Sequence, residues 1–221
     1  GSEMCIRDSP QTVDFSGHSH APINDPRSAH QRHFSAFGTG TLSYFELDEF
    51  DKAHGTIPPE DGSAAQLLIV EADAGGRVRV YPYDVLTGHF FPYTWEIDEP
   101  WNIDSFKYTD ARYVTAERPF FENARISVEN ITADGCDITF NQAGGKDRPD
   151  SYDIYILSGG GDGLVKKHLN ITSRYYLYDM PATLTEHICG LKTRTEYTVK
   201  IVANSFWRTR SDALTARFAT L

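Results

Sequence analysis

The sequence predicts a mainly β protein built from two parts. Helical periodicity is scarce, whereas short runs of alternating apolar and polar residues recur and are separated by segments that carry Gly and Pro. The chain has 221 residues, of which 40% are apolar and 13% aromatic, and this is enough to bury a core in one or two domains. A net charge of -10 argues against a nucleic-acid partner, and no apolar run reaches the length of a membrane-spanning helix.

The first nine residues have the character of an artefact rather than of a folded segment. Gly1-Ser2 resembles a protease-cleavage scar, and Glu3–Ser9 resembles translated adapter sequence at the end of a truncated environmental reading frame. We therefore exclude residues 1–9 from the fold prediction and expect the rest to be a metagenomic, bacterial fragment. The cellular location stays open, with a secreted or cell-envelope parent as one option.

A β-prone run over residues 11–16 stops at Gly17 and is followed at once by His18 and His20. In an extended segment, alternate side chains lie on one side, and Gly17 permits a turn that other residues do not tolerate. We therefore expect the two imidazoles to converge on one metal ion or on two adjacent ions. The alternative is a pair of surface histidines in a loop.

The segment Phe15–Asn24, followed by Asp25-Pro-Arg-Ser, resembles the last metal-binding motif of the calcineurin-like metallophosphoesterases, Gly-His-x-His. The flanking runs 10–15 and 34–44 resemble the C-terminal strands of that family. The resemblance implies that His18 binds one divalent metal ion and His20 the other in a parent enzyme that hydrolyses phosphate mono- or diesters. The upstream motifs of the family do not occur before residue 18. We therefore expect residues 10–98 to be the C-terminal part of a truncated catalytic domain, inactive by itself.

Beyond the histidines, residues 65–84 read as a β-hairpin, with strands over 65–72 and 77–84 joined by the turn Asp73-Ala-Gly-Gly76. The stretch 46–62 reads as a loop. Its acidic side chains are suited either to a bound cation or, more simply, to a solvated charge run; they are Glu46, Asp48, Glu49 and Asp51. Pro100 and the mixed polar residues after it interrupt the strand pattern, so we expect a linker over 99–119.

Residues 120–221 contain the strands of a second β-sandwich. The expected strands are 124–131, 136–141, 151–157, 174–178, 183–188, 196–203 and 213–220. The segment Leu191–Ala203 resembles the end of a fibronectin type III domain. The resemblance implies that the hydroxyl of Tyr197 bonds to the backbone upstream and that Val199 and Ile201 point into the core, whereas Tyr176 is expected to lack an equivalent bond.

The sandwich also offers an alternative function. If exposed, a set of aromatic side chains could stack on a glycan or anchor a protein partner; it consists of Tyr175, Tyr176, Phe206 and Trp207. The simpler interpretation is that these rings belong to the core. The glycine-rich run 158–163 lacks a following Lys-Ser/Thr pair and indicates a hairpin connection rather than a phosphate loop. Cys136 and Cys189 could form a disulfide if the strands that carry them are neighbours; the simpler interpretation is that both are buried free thiols.

Overall fold

The computed structural model describes residues 9–47, 57–60, 62, 65–159 and 163–221. Most of the regular structure in this part of the chain is β-strand, which confirms the predicted fold class. The chain divides into two compact units. The first contains residues 1–115 and 176–179, and the second contains residues 116–175 and 180–221. No helix in the described part of the chain is long and apolar enough to cross a membrane.

The first unit contains two small sheets. Their strands are β1 (Val13–Ser16), β2 (Ala29–Gln31), β3 (Ser35–Gly38), β4 (Gln66–Ala72), β5 (Val78–Asp84), β6 (His89–Phe90) and β7 (Trp95–Ile97). One sheet has the order β1-β3-β2, in which β1 is parallel and β2 antiparallel to β3. In the other, β5 lies between β4 and the short strands β6 and β7. The unit also holds two 3-10 helices, Pro26–Ser28 and Ile103–Ser105, and one helical turn, Arg112–Thr115.

The predicted hairpin over 65–84 is confirmed by β4 and β5, which pair antiparallel without a break in register. Along β5, side chains alternate between buried and more exposed positions, because one face of the strand packs on the core. That core also holds residues from both sheets, namely Ile23, Ala29, Phe37, Val78, Val80, Phe91, Trp95 and Ile97.

Residues 99–115 are part of the first unit, so the predicted linker over 99–119 is wrong for most of its length. The Tyr108 hydroxyl accepts a 2.8 Å hydrogen bond from the Glu96 amide, and the Gln31 side chain accepts from the amides of Lys107 and Tyr108. The Arg112 guanidinium donates to the backbone carbonyls of Pro26 and Ala29. These bonds satisfy backbone groups that a free linker would leave to water.

The second unit is a fibronectin type III-like β-sandwich. Its strands are β8 (Ile126–Glu129), β9 (Cys136–Asn141), β10 (Ser151–Ser158), β11 (Leu164–Thr172), β12 (Thr183–Ile188), β13 (Glu196–Asn204) and β14 (Leu214–Ala219). They form two sheets, with the orders β12-β9-β8 and β11-β10-β13-β14. The chain crosses between the sheets from β9 to β10, from β11 to β12 and from β12 to β13, in a Greek-key arrangement.

The predicted tyrosine corner is present. The Tyr197 ring is 3% exposed, and its hydroxyl accepts a 2.9 Å hydrogen bond from the amide of Lys192, five positions upstream. Val199 and Ile201 are fully buried, as the alternation along β13 predicts. Phe140 is also buried and belongs to this core.

The strand predicted over 174–178 is wrong, and the strand β11 before it was not predicted. Arg174 has a φ of 63°, and the Ser173 hydroxyl accepts from the Tyr175 amide, so the backbone turns after β11. β11 pairs with β10 in an antiparallel hairpin, as expected. Residues 160–162 of the glycine-rich run between them lie outside the described residues. Cys136 is buried and free as predicted, whereas Cys189 is exposed.

Candidate functional site

The predicted histidine pair lies in the loop that leaves the carboxyl end of β1. This strand pairs with β3 in parallel register, with Phe15 opposite Phe37, and the Ser16 carbonyl accepts the Thr39 amide at 3.0 Å. The loop therefore starts from a fixed point at the end of a paired strand. The structure brings His18 and His20 into one short loop beyond that point.

The loop is not extended, so the expected alternation of the two imidazoles is wrong. His18 and His20 have φ angles of 75° and 50°, in the left-handed region that non-glycine residues rarely adopt. Gly17 has no left-handed φ, and a Cβ there would meet the nearest atom, Thr39 Oγ1, at 3.4 Å. The conformational strain therefore falls on the histidines themselves rather than on the glycine. Left-handed non-glycine residues are concentrated at functional sites.

His20 is oriented by the chain segment that follows β3. Its Nδ1 lies 3.1 Å from the Tyr44 carbonyl oxygen, the two rings are 4.4 Å apart, and the His20 carbonyl accepts the Glu46 amide at 3.0 Å. A carbonyl oxygen can only accept, so in the neutral imidazole this bond places the proton on Nδ1 and leaves the lone pair on Nε2. His18 is exposed. The sequence could not reveal the role of Tyr44, because its carbonyl rather than its side chain makes the bond.

The polar residues that follow the histidines are structural. Asp25 is 6% exposed, caps the 3-10 helix at Pro26–Ser28 by accepting the Arg27 amide, and also receives the Arg27 guanidinium. The Ser28 hydroxyl donates to the Pro22 carbonyl at 2.8 Å. This part of the motif therefore holds the loop in place and supplies no free carboxylate for a metal ion.

No third ligand completes a metal site in the described residues. Among them, no group of three or more His, Cys, Asp or Glu side chains is arranged to hold a metal ion. Of the acidic run, Glu46 is described, whereas Asp48, Glu49 and Asp51 lie outside the described residues. His18 and His20 therefore fit a metal site only as part of a larger ligand set.

The aromatic side chains considered for ligand binding are not exposed. Tyr175, Tyr176, Phe206 and Trp207 are 3%, 0%, 0% and 4% exposed, respectively. The Tyr175 and Phe206 rings meet edge to face at 4.7 Å, and the Trp207 indole N–H donates to Asp147 at 2.7 Å. These contacts hold the rings in place as parts of the fold, because a buried Trp needs a partner for its N–H. The four rings therefore lie in the interior, as the simpler interpretation expects, and do not form a surface open to a glycan.

A buried polar network that the sequence did not predict is centred on Gln66. Its side-chain oxygen accepts the Ile23 amide at 2.8 Å, and its nitrogen donates to the Tyr176 carbonyl at 2.9 Å and to Asn24 at 3.3 Å. The Tyr176 hydroxyl in turn donates to the Pro59 carbonyl, which corrects the expectation that Tyr176 has no such bond. The network joins segments of the first unit that are far apart in sequence, so local sequence patterns carry no signal for it.

The sandwich has its own polar cluster around Asp153, whose side chain is 14% exposed. The carboxylate accepts hydrogen bonds from His168, Asn170, Asn204 and Arg210. Burial alone would raise the pKa of Asp153, but the hydrogen bonds and the Arg210 charge lower it below its usual range. Each acceptor site is engaged within the cluster, which makes a structural role the simplest account.

Solved structures of fibronectin type III and other β-sandwich domains are similar to part of this chain. No protein-family model and no curated protein matches the chain. A redesigned β-sandwich protein is similar at 21% identity, covering 48% of this chain and 96% of that one, with a TM-score of 0.35. A fibronectin type III domain of a human protein is 16% identical over 50% of this chain and 78% of its own (TM-score 0.35). A two-domain fibronectin type III segment of chicken tenascin is 15% identical over 67% of each chain (TM-score 0.36).

At these TM-scores the likeness carries no argument of its own. The fibronectin type III-like assignment of the second unit depends instead on the order of its strands and on the corner made by Tyr197 and Lys192. A fold of this kind does not define a function, because many functions share it. The candidate site of this chain is therefore the histidine loop of the first unit.

Proposed function

We propose that this chain is the C-terminal portion of a binuclear-metal phosphoesterase, with the fibronectin type III-like sandwich as an accessory module. In the parent protein, His18 and His20 would each contribute a ligand to one of two divalent metal ions, and the substrate would be a phosphate mono- or diester. The observation that carries the proposal is the hydrogen bond between His20 Nδ1 and the Tyr44 carbonyl.

This bond prepares His20 as a ligand. Histidines that bind metals commonly donate their second ring N–H to a carbonyl or carboxylate, which fixes the tautomer and the direction of the ring. With the proton of His20 held on Nδ1 by Tyr44, Nε2 is the available donor atom.

The surroundings of β1 support a larger sheet in the parent. β1 lies at the edge of its sheet, is parallel to its neighbour, and leaves Phe15 40% exposed, stacked on Phe37 at 5.7 Å. Parallel strands usually occur in sheets that are covered on both faces. Further strands and helices of a catalytic domain would give β1 that environment.

Hydrolysis would belong to the parent rather than to this chain. When bound, two metal ions held at a short separation activate a water molecule and bind the phosphoryl oxygens. Within the described residues, only His18 and His20 are offered for this purpose, and no bridging carboxylate accompanies them. The role of this chain is then to present and orient two imidazoles.

The proposal is tested first on the chain itself. A long-range ¹H–¹⁵N spectrum of the histidine rings should show His20 protonated at Nδ1, and added Zn²⁺ should shift its Nε2 resonance. His33, which is also exposed, is the matched control and should respond much less. A proton on Nε2 of His20, or equal responses of His20 and His33, would contradict the proposed role.

The second test uses the parent. The upstream coding sequence is recovered, the complete protein is expressed, and hydrolysis of bis(p-nitrophenyl) phosphate is measured with added Mn²⁺. We expect His18→Ala and His20→Ala to abolish metal-dependent turnover and His33→Ala to leave it unchanged. A parent without metal-dependent hydrolysis overturns the proposal. A binding module that acts through Tyr175 and its neighbours is not proposed, because those rings are buried.

A further inference from the structure

The outer edge of β4 is open to pairing with another strand. β4 is the outer strand of its sheet and pairs with β5 alone in the described part of the chain. Its second half is open to solvent, with Ile69 41% and Val70 42% exposed. A free strand edge presents a row of N–H and C=O groups that can pair with another strand.

The backbone groups on this edge can be identified from the register. The Asp73 amide donates to the Arg77 carbonyl at 3.0 Å, so odd-numbered residues of β4 bond to β5 and even-numbered ones point away. The Gln66 amide confirms this direction, since it donates at 2.8 Å to the Thr41 carbonyl on the far side. The outward-pointing residues beyond Gln66 are Leu68, Val70 and Ala72.

β4 also lacks the devices that usually protect an edge. Between Gln66 and Glu71 it carries only apolar residues, with no Pro and no bulge. The edge strand β11 of the sandwich differs, because it carries Lys166 and Lys167 and its pairing has a bulge. Charged side chains and bulges discourage pairing between edges. The contrast indicates that β4 is suited to a partner strand whereas β11 is not.

We propose that β4 pairs antiparallel with β4 of a second copy of this chain, with the twofold axis passing between the two Val70 residues. In this register Val70 faces Val70 of the second copy, and Leu68 faces Ala72 of the second copy. Each of these pairs exchanges two hydrogen bonds between outward-pointing groups. The interface is isologous, as a twofold dimer requires.

Steric contacts and charge both favour this register. At Gln66 the outer edge of β4 is already occupied, because the Gln66 amide bonds to the Thr41 carbonyl. In the proposed register, β4 of the second copy ends at its Ala72, opposite Leu68, and so stops before it reaches this bond. Sliding the second copy until Ile69 faces itself would place its Ala72 against the covered Gln66. In the proposed register Glu71 faces Ile69 of the second copy, so the two carboxylates do not oppose each other.

The first experiment measures the mass of the full chain by sedimentation equilibrium over a concentration series. We expect dimers of the 24.8 kDa chain. Val70→Lys should weaken dimerisation on the order of tenfold or more, because two like charges would face each other directly. Val165→Lys on the β11 edge, at a residue that is 55% exposed, is the matched control and should leave the mass distribution unchanged. Thermal melts of both variants confirm that they fold.

The second experiment tests the register. In a background of Cys5→Ser and Cys189→Ser, Val70→Cys should form a disulfide-linked dimer, because facing residues have Cα atoms about 5.5 Å apart. Ile69→Cys should not, since its copies would be diagonal neighbours about 7–8 Å apart. A chain that stays monomeric at every concentration, a dimer indifferent to Val70→Lys, or a cross-link at Ile69 instead of Val70 would each overturn the proposal.

Discussion

Removing the Tyr197 hydroxyl should destabilise the sandwich by more than an ordinary surface change. The substitution Tyr197→Phe keeps the buried ring and deletes only the acceptor of the 2.9 Å bond from the Lys192 amide. A buried donor that loses its partner costs about 1–3 kcal/mol. Since about 1.4 kcal/mol is tenfold in an equilibrium constant, the unfolded fraction of the second unit should rise roughly five- to 150-fold.

Cys136 provides an assay that reports on the second unit alone. It lies in β9, is fully buried, and its thiol pKa is raised to about 11 by burial and by the neighbouring Asp137. In a chain with Cys5→Ser and Cys189→Ser, the thiol reacts with a labelling reagent only when the sandwich opens. When closing is fast relative to labelling, the rate follows the opening equilibrium, so it should rise by the same factor in Tyr197→Phe.

The control is Tyr155→Phe in the same sheet. The Tyr155 ring is half-buried, and its hydroxyl lies 3.4 Å from the Arg210 guanidinium, so no buried backbone group loses a partner. Tyr176 does not serve as the control, because its hydroxyl bonds to the Pro59 carbonyl. Equal labelling rates for Tyr197→Phe and Tyr155→Phe would refute the importance of the corner.

Four further predictions extend to the rest of the chain. Gln66→Leu leaves the Ile23 amide and the Tyr176 carbonyl without partners. It should lower the unfolding free energy of the first unit by about 1–3 kcal/mol for each group, and therefore its melting temperature. An unchanged melting temperature would count against the network. Because folding lowers the pKa of Asp153, its carboxylate stabilises the protein above about pH 4, and this stabilisation is lost as the pH falls through the folded pKa. Asp153→Asn should therefore reduce the dependence of stability on pH in this acidic range. The pure chain with Mn²⁺ should hydrolyse no bis(p-nitrophenyl) phosphate above the buffer blank, and metal-dependent turnover would contradict this. Residues 116–221 expressed alone should melt cooperatively, whereas residues 10–115 should not.

The elements predicted well from sequence are those whose signals are local. Strands β9 and β12 have the expected bounds, and the β4–β5 hairpin follows from alternating residues on either side of the turn at Asp73–Gly76. The tyrosine corner was also predictable, because its hydrogen bond spans only the distance from Lys192 to Tyr197. In each case the sequence segment contains both partners of the deciding interaction.

The features that the sequence did not predict have different causes. The predicted strand 174–178 is rich in aromatic residues, but the hydroxyl of Ser173 favours a turn there, and β11 was missed because its polar residues suit a half-exposed edge strand. Residue type could not show that Trp207 is buried, because its partner Asp147 lies in a different loop. At the histidine loop, sequence identified His18 and His20 but could not show their left-handed backbone.

The division of the chain has a consequence for its synthesis. The first unit is completed by Tyr176–Asp179, which the ribosome makes only after residues 116–175. At roughly 5–20 residues per second, that segment delays completion by on the order of ten seconds at the slower rates. During this interval Gln66 lacks the Tyr176 carbonyl that it binds in the finished protein. The first unit therefore completes its contacts only after residues 116–175 of the second unit have been synthesised.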